Sequence, residues 1–175
     1  MKTLHSYIEF INESKNIPEI KTCYHVSHKK NIDSILKNGL KINQEYYMTY
    51  GGKWANDIYG LNPIFLSLFP TETSKQKLLD VDDVIFKIDV SDYNLVVDLP
   101  SLIDFGAYIS EEYNGLYWMK NIPTKLEYYQ DSEGMIYFDD LLNPEHPIVE
   151  DVILLTNSCV IMENISPNNI ILISQ

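Results

Sequence analysis

The chain has 175 residues, 45% of them hydrophobic, a formal net charge of −12 and a pI near 4.6, which fits one domain long enough to bury its own core. All 13 basic residues are lysine, so the planar guanidinium grip on phosphate is excluded, and direct nucleic-acid binding, which rests on basic contacts to the backbone, is not expected. No run of eighteen apolar residues and no secretory apolar core are present, so a membrane span is not expected either.

Leu4, Ile8 and Ile11 recur at helical spacing beside Tyr7, which predicts a short amphipathic helix over residues 1–13. Pro18 prevents its easy continuation. Residues 22–27 read as a strand. Residues 31–38 read as a helix with Ile32, Ile35 and Leu36 on one face and Gly39 as the residue that ends it. Residues 46–60, rich in Tyr and Gly, predict a long loop or lid. Residues 64–68 form a strand stopped near Pro70, and 73–79 a short helix. Residues 84–90 alternate as a strand, and 95–99 make another. Ser101, with Asp104 three residues on, predicts an N-cap and a helix over 102–113. Residues 134–138, 151–156, 158–162 and 170–174 read as the last strands. Short strands outnumber helices, so the class is α+β, with a split, mainly antiparallel two-sheet arrangement over residues 14–175. No Gly-x-Gly-x-x-Gly follows a strand, so a Rossmann site is excluded.

Two cysteines, Cys23 and Cys159, lie in apolar runs and read as buried thiols in a reducing cytosolic setting. The four His residues are scattered, and no metal site is expected. Asp82, Asp83, Asp139 and Asp140 lack calcium-loop spacing. Lys29 and Lys30 could hold a phosphate as point charges. The 13 Tyr residues suit half-buried strands as well as ligand grooves. The most informative stretch is Tyr24-His25-Val26-Ser27, followed by a polar turn, a capped helix and Gly39-Leu40. It delivers a His to a strand end beside exposed backbone N–H groups, although a strand His is commonly a core residue.

Residues 24–40 resemble the opening of ADP-ribosyltransferase domains. Further stretches match in order: Pro63 to Ser67 resembles the second core strand, 84–90 and 95–98 the mid-sheet strands, and Ile165-Ser166-Pro167-Asn168-Asn169-Ile170 the closing element. The resemblance implies an NAD-binding cleft between two small sheets and transfer of ADP-ribose to a host protein. It implies contact of NAD with Tyr24, His25 and Ser27, and a place against the cleft for Ser67. It also implies an aromatic stacked on nicotinamide, for which Tyr46, Tyr47, Tyr50 and Tyr59 are candidates. In the family a Glu opens the penultimate strand and stabilises the oxocarbenium-like transition state. Here Ser158 occupies that position, so the catalytic carboxylate is open, with Glu163, Glu150 and Glu112 as candidates. A second possible closing element, Tyr117 to Pro123, would bring Glu111 or Glu112 into play. The phosphotransferase and DNA-modifying branches lean on basic contacts and fit this chain poorly.

The first residues resemble the capsid-targeting leader of internal head proteins of large tailed phages. Met1-Lys2-Thr3 opens the helix, and Ile11-Asn12-Glu13 fits the cleavage site, with the cut before Ser14. That resemblance implies packaging in the virion interior and delivery to the bacterial cytoplasm. A non-catalytic effector that uses the same fold to bind and inhibit a host or defence protein is the alternative function.

Overall fold

The computed structural model describes residues 20–42, 58–60, 63–70, 82–110, 112–118 and 122–174. The strands, in chain order, are β1 (Thr22–His28), β2 (Ile64–Ser67), β3 (Asp83–Asp89), β4 (Leu95–Val97), β5 (Ala107–Ser110), β6 (Gly115–Trp118), β7 (Met135–Tyr137), β8 (Ser158–Ile161) and β9 (Ile170–Ser174). The helices are α1 (Ile32–Asn38), α2 (Leu99–Asp104), α3 (Phe138–Leu141) and α4 (Pro147–Thr156). The class is α+β, with two antiparallel sheets and short helices.

The larger sheet runs β4-β8-β2-β1-β3-β9 and the smaller β5-β6-β7. The larger one is divided along its middle. β1 pairs with β3 at every position from Thr22↔Asp89 to His28↔Asp83, but with β2 only at Tyr24↔Ser67. Two half-sheets, β4-β8-β2 and β1-β3-β9, therefore meet at one rung. The core lies on the face that carries Cys23, Phe86 and Ile88, all fully buried. The smaller sheet turns Leu116 and Ile136 into the same core.

Two predicted elements are corrected. The helix expected over 102–113 instead spans Leu99–Asp104. Pro100 suits a first turn, where its missing N–H leaves no bond unmade, so the helix starts earlier and Asp98, not Ser101, is the flanking residue. Gly106 then turns the chain at φ 84°. Ala107 and Ile109 next alternate with the outward Tyr108 and Ser110 as strand β5. The strand expected over 151–156 is the second half of α4. A short apolar run fits a buried helix as well as a strand. Here Pro147 in the first turn and the His146 ring nitrogen, which accepts from the Ile148 N–H at 3.3 Å, start a helix. Asn157, left-handed at φ 56°, ends it. The predicted helix at 73–79, the leader at 1–13 and most of the 46–60 loop lie outside the described residues.

Residues 24–40 and 165–170 meet directly. Leu40 and Ile165 exchange backbone hydrogen bonds, at 3.1 Å and 2.9 Å. Gly39 makes the approach possible: its φ of 76° with ψ −175° is a region reserved for glycine. A Cβ there would strike the Ile165 carbonyl oxygen. Gly39→Ala is therefore expected to destabilise the protein by about 3 kcal/mol or more, measured as a drop in urea midpoint. A loss below about 1 kcal/mol would mean that this contact relaxes freely.

Candidate functional site

The junction of the two half-sheets collects the polar residues that the sequence singled out. Tyr24 pairs with Ser67, and Ser67 pairs with Ser158. Directly opposed residues share a face, so these three form a row across β1, β2 and β8. His25 and Ser27 alternate onto the opposite face, with Cys23. The His25 ring nonetheless bridges the divide. Its Nδ1 lies 3.1 Å from the Phe65 carbonyl oxygen. A carbonyl only accepts, so Nδ1 carries the proton and Nε2 keeps a lone pair. Burial lowers the ring's pKa below 6.5, against the opposing effect of the Phe65 hydrogen bond. The imidazole is thus neutral at pH 7.

A buried carboxylate lies at the other end of the row. Val97 faces Cys159, so Asp98, the next residue, comes level with Ser158. The Ser101 hydroxyl donates to Asp98 Oδ2 at 2.6 Å, and Ser158 Oγ lies 2.8 Å from Ser101 Oγ and 3.1 Å from Thr156 Oγ1. Asp98 is 5% exposed, and its Oδ1 has no hydrogen-bond partner among the described residues. Burial raises the Asp98 pKa, while bonds from Ser101 and Ser158 pull it back. The same charge contributes to raising the Tyr59 phenol, which burial already holds well above 10.

The other candidates are placed as follows. Tyr59 is 5% exposed, and its hydroxyl donates to the Val97 carbonyl at 2.7 Å and accepts from the Leu99 N–H at 2.9 Å. Its ring meets Phe65 edge-on. It is a pin between β4 and α2. Ser67 donates to the Phe69 carbonyl at 3.1 Å, and Ser27 accepts from the Asn31 amide at 3.1 Å. Lys29 and Lys30 sit exposed on the 3₁₀ turn after β1. None of the candidate glutamates joins Ser158. Glu163 is exposed beyond the far end of β8, Glu150 sits in the first turn of α4, and Glu112 lies in the β5–β6 turn. Tyr117 belongs to the middle strand of the smaller sheet, and 119–121 lie outside the described residues. Glu13, Ser14, Tyr46, Tyr47, Tyr50 and Glu111 lie outside the described residues.

Cys23 and Cys159 are both fully buried, and their sulfurs are 3.7 Å apart. The hydrogen bond with Cys23, then burial, holds the Cys159 thiol well above its ordinary pKa, so it stays protonated. Among the described residues no cluster of His, Cys, Asp and Glu could hold a metal ion, and no helix is long and apolar enough to cross a membrane. Asp98 is the residue that sequence reasoning passed over. Its signal was local: an Asp two residues before Pro100 and three before Ser101 marks a helix start.

No protein-family model, curated protein or solved structure matches this chain.

Two measurements test the site's electrostatics. The His25 ring should titrate below 6.5 by NMR and keep its proton on Nδ1 when neutral; a midpoint above 6.5 contradicts the burial described. A raised carboxyl pKa in the folded state means that Asp98 contributes stability at low pH that is lost as pH rises through its folded value. Asp98→Asn removes that loss. The variant should gain on wild type in urea midpoint as pH rises above the ordinary carboxylate range. A constant difference across this rise would show that Asp98 does not titrate as a buried acid.

Proposed function

We propose that this chain is an ADP-ribosyltransferase-like domain that binds NAD at the junction of its half-sheets and transfers ADP-ribose to a host protein. One observation carries the reading. The stretches that resemble the family, scattered from residue 24 to 170, converge on the larger sheet, and their two ends bond through Leu40 and Ile165. Residues 107–137, the part without a matched motif in this reading, supply the strands of the smaller sheet. The resemblance thus has a spatial counterpart that chain order alone does not require.

The residues present fit parts of such a ligand. Neutral His25 offers Nε2 as an acceptor for a ribose hydroxyl. Ser67 and Tyr24 form the adjoining rung, on the opposite face of the sheet. Ser158 cannot supply negative charge, so the carboxylate nearest the row is Asp98, linked through Ser101. In the proposed reaction the nicotinamide–ribose bond breaks and ADP-ribose passes to a nucleophile on the target. Positive charge that develops on the ribose is stabilised by a fixed negative group in a dry site. Asp98 has that charge only above its raised pKa.

A second reading keeps the fold and drops the chemistry: a non-catalytic effector that binds and inhibits a host or defence protein. Ser158 favours it, because its hydroxyl is engaged by Ser101 and Thr156 where the family carries a free carboxylate. Packaging in a phage head, through a leader ending at Glu13, is a separate proposal that rests on residues 1–14 alone.

Calorimetric titration of NAD into the full chain, followed by assay for free nicotinamide, separates these readings. The transferase reading expects binding, release of nicotinamide, and loss of release but not of binding in Asp98→Asn. Binding without release supports the effector. No heat at millimolar NAD removes the transferase reading altogether.

A further inference from the structure

The smaller sheet has a second face that the core does not use. Ala107, Ile109, Leu116, Trp118 and Ile136 share its inner side through the rungs Ala107↔Trp118 and Ile109↔Leu116↔Ile136. The alternate residues Tyr108, Tyr117, Ser110, Gly115, Tyr137 and the buried Met135 therefore share the outer side. Tyr108 is 46% exposed and Tyr137 41%. The Tyr108 and Tyr117 rings stack, with centroids 5.5 Å apart and planes at 23°. Gly115 and Met135, both buried, close the middle of this face. A Cβ there would lie 2.7 Å from the Ile136 carbonyl oxygen and 3.1 Å from the Met135 methyl. The surface is thus an aromatic bed, with two of its rings already stacked.

The stretch of chain that carries this face is acidic. Residues 104–151 hold eleven of the 25 acidic residues and two of the 13 lysines. One of those lysines, Lys125, lies 3.7 Å from Asp151. Asp131 receives the Tyr137 hydroxyl at 2.7 Å and the Met135 and Glu133 N–H groups at 2.9 Å and 2.8 Å. Those bonds, the Met135 N–H foremost, hold its carboxyl below the usual range, so a fixed negative charge rims the aromatic bed. Glu112 and Glu133 are exposed at its margins. Aromatic faces attract cations, and neighbouring carboxylates strengthen the attraction and speed encounter.

We propose that the Tyr108–Tyr117–Tyr137 face is the docking surface for an extended lysine- or arginine-rich segment of a protein partner. The cationic heads would lie over the tyrosine rings and against the acidic margin, while their aliphatic stems cover the ring edges. Neither NAD binding nor catalysis is needed for this, so the surface serves the transferase and the effector alike.

The test is fluorescence anisotropy of a labelled Arg-Gly repeat peptide titrated with the full chain, beside a peptide with the arginines replaced by alanine. The Tyr108→Ser/Tyr117→Ser double variant keeps the net charge, so diffuse attraction to an acidic protein is unchanged in it. The expected result is binding of the arginine peptide only, weakened about five- to tenfold in the double variant. Methionine-methyl NMR of the wild-type chain gives a second readout that needs no variant: the Met135 methyl, packed over Gly115, should shift as peptide is added. Equal affinity in a folded double variant, a Met135 signal that stays put while peptide binds, or equal binding of the alanine peptide would each overturn the proposal. Concentration-dependent self-association of the wild type, abolished in the double variant, would assign the face to a second copy of this chain and overturn it as well.

Discussion

One rung of backbone pairing decides the character of this domain. β1 is bound along its whole length to β3, yet touches β2 through Tyr24↔Ser67 alone. A sheet zipped along both edges of β1 would be a closed, flat support. With one edge largely unzipped, the strands diverge, and backbone groups that would have bonded across the gap need other partners. The His25 ring supplies one of them, standing in for a ladder bond at the Phe65 carbonyl. The same proton on Nδ1 thus braces the divide between the half-sheets.

The strands of the larger sheet were readable because their residues alternate or run apolar between clear stops. Val84, Phe86 and Ile88 point inward between exposed Lys87 and Asp89. Both errors arose where local pattern was ambiguous. Ile148, Val149, Val152 and Ile153 are buried at helical spacing, but the short window 151–156 is almost uniformly apolar and carries no period. In 99–110, Ser101 is a good capping residue by type, and only Pro100 and Gly106 together reveal where the helix starts and stops. The smaller sheet was legible only in part, since its middle strand is a four-residue Gly-Leu-Tyr-Trp segment whose partners are set by tertiary packing.

The site was legible as a list of residues but not as an arrangement. The resemblance implies one cleft for His25 and Ser67; the register puts them on opposite faces of adjoining strands. The resemblance directed the search for a carboxylate to glutamates near Ser158 along the chain. Strand order instead brings the neighbour from sixty residues earlier, because β4 lies beside β8. Asp98 then sits among Tyr59, Ser101, Ser158 and Cys159, a group in which one buried charge raises the pKa of its neighbours. Such a group is costly to bury, which makes an unpartnered oxygen there more telling than any exposed acidic run.

The two touching thiols add a property of a different kind. Cys23 belongs to β1 and Cys159 to β8, so each sulfur is anchored in a different half-sheet, and both are sealed from solvent. An alkylating reagent can reach them only during excursions in which the halves part or the domain opens. Their labelling rate is therefore an internal clock for breathing at the seam, written into the protein without an added probe.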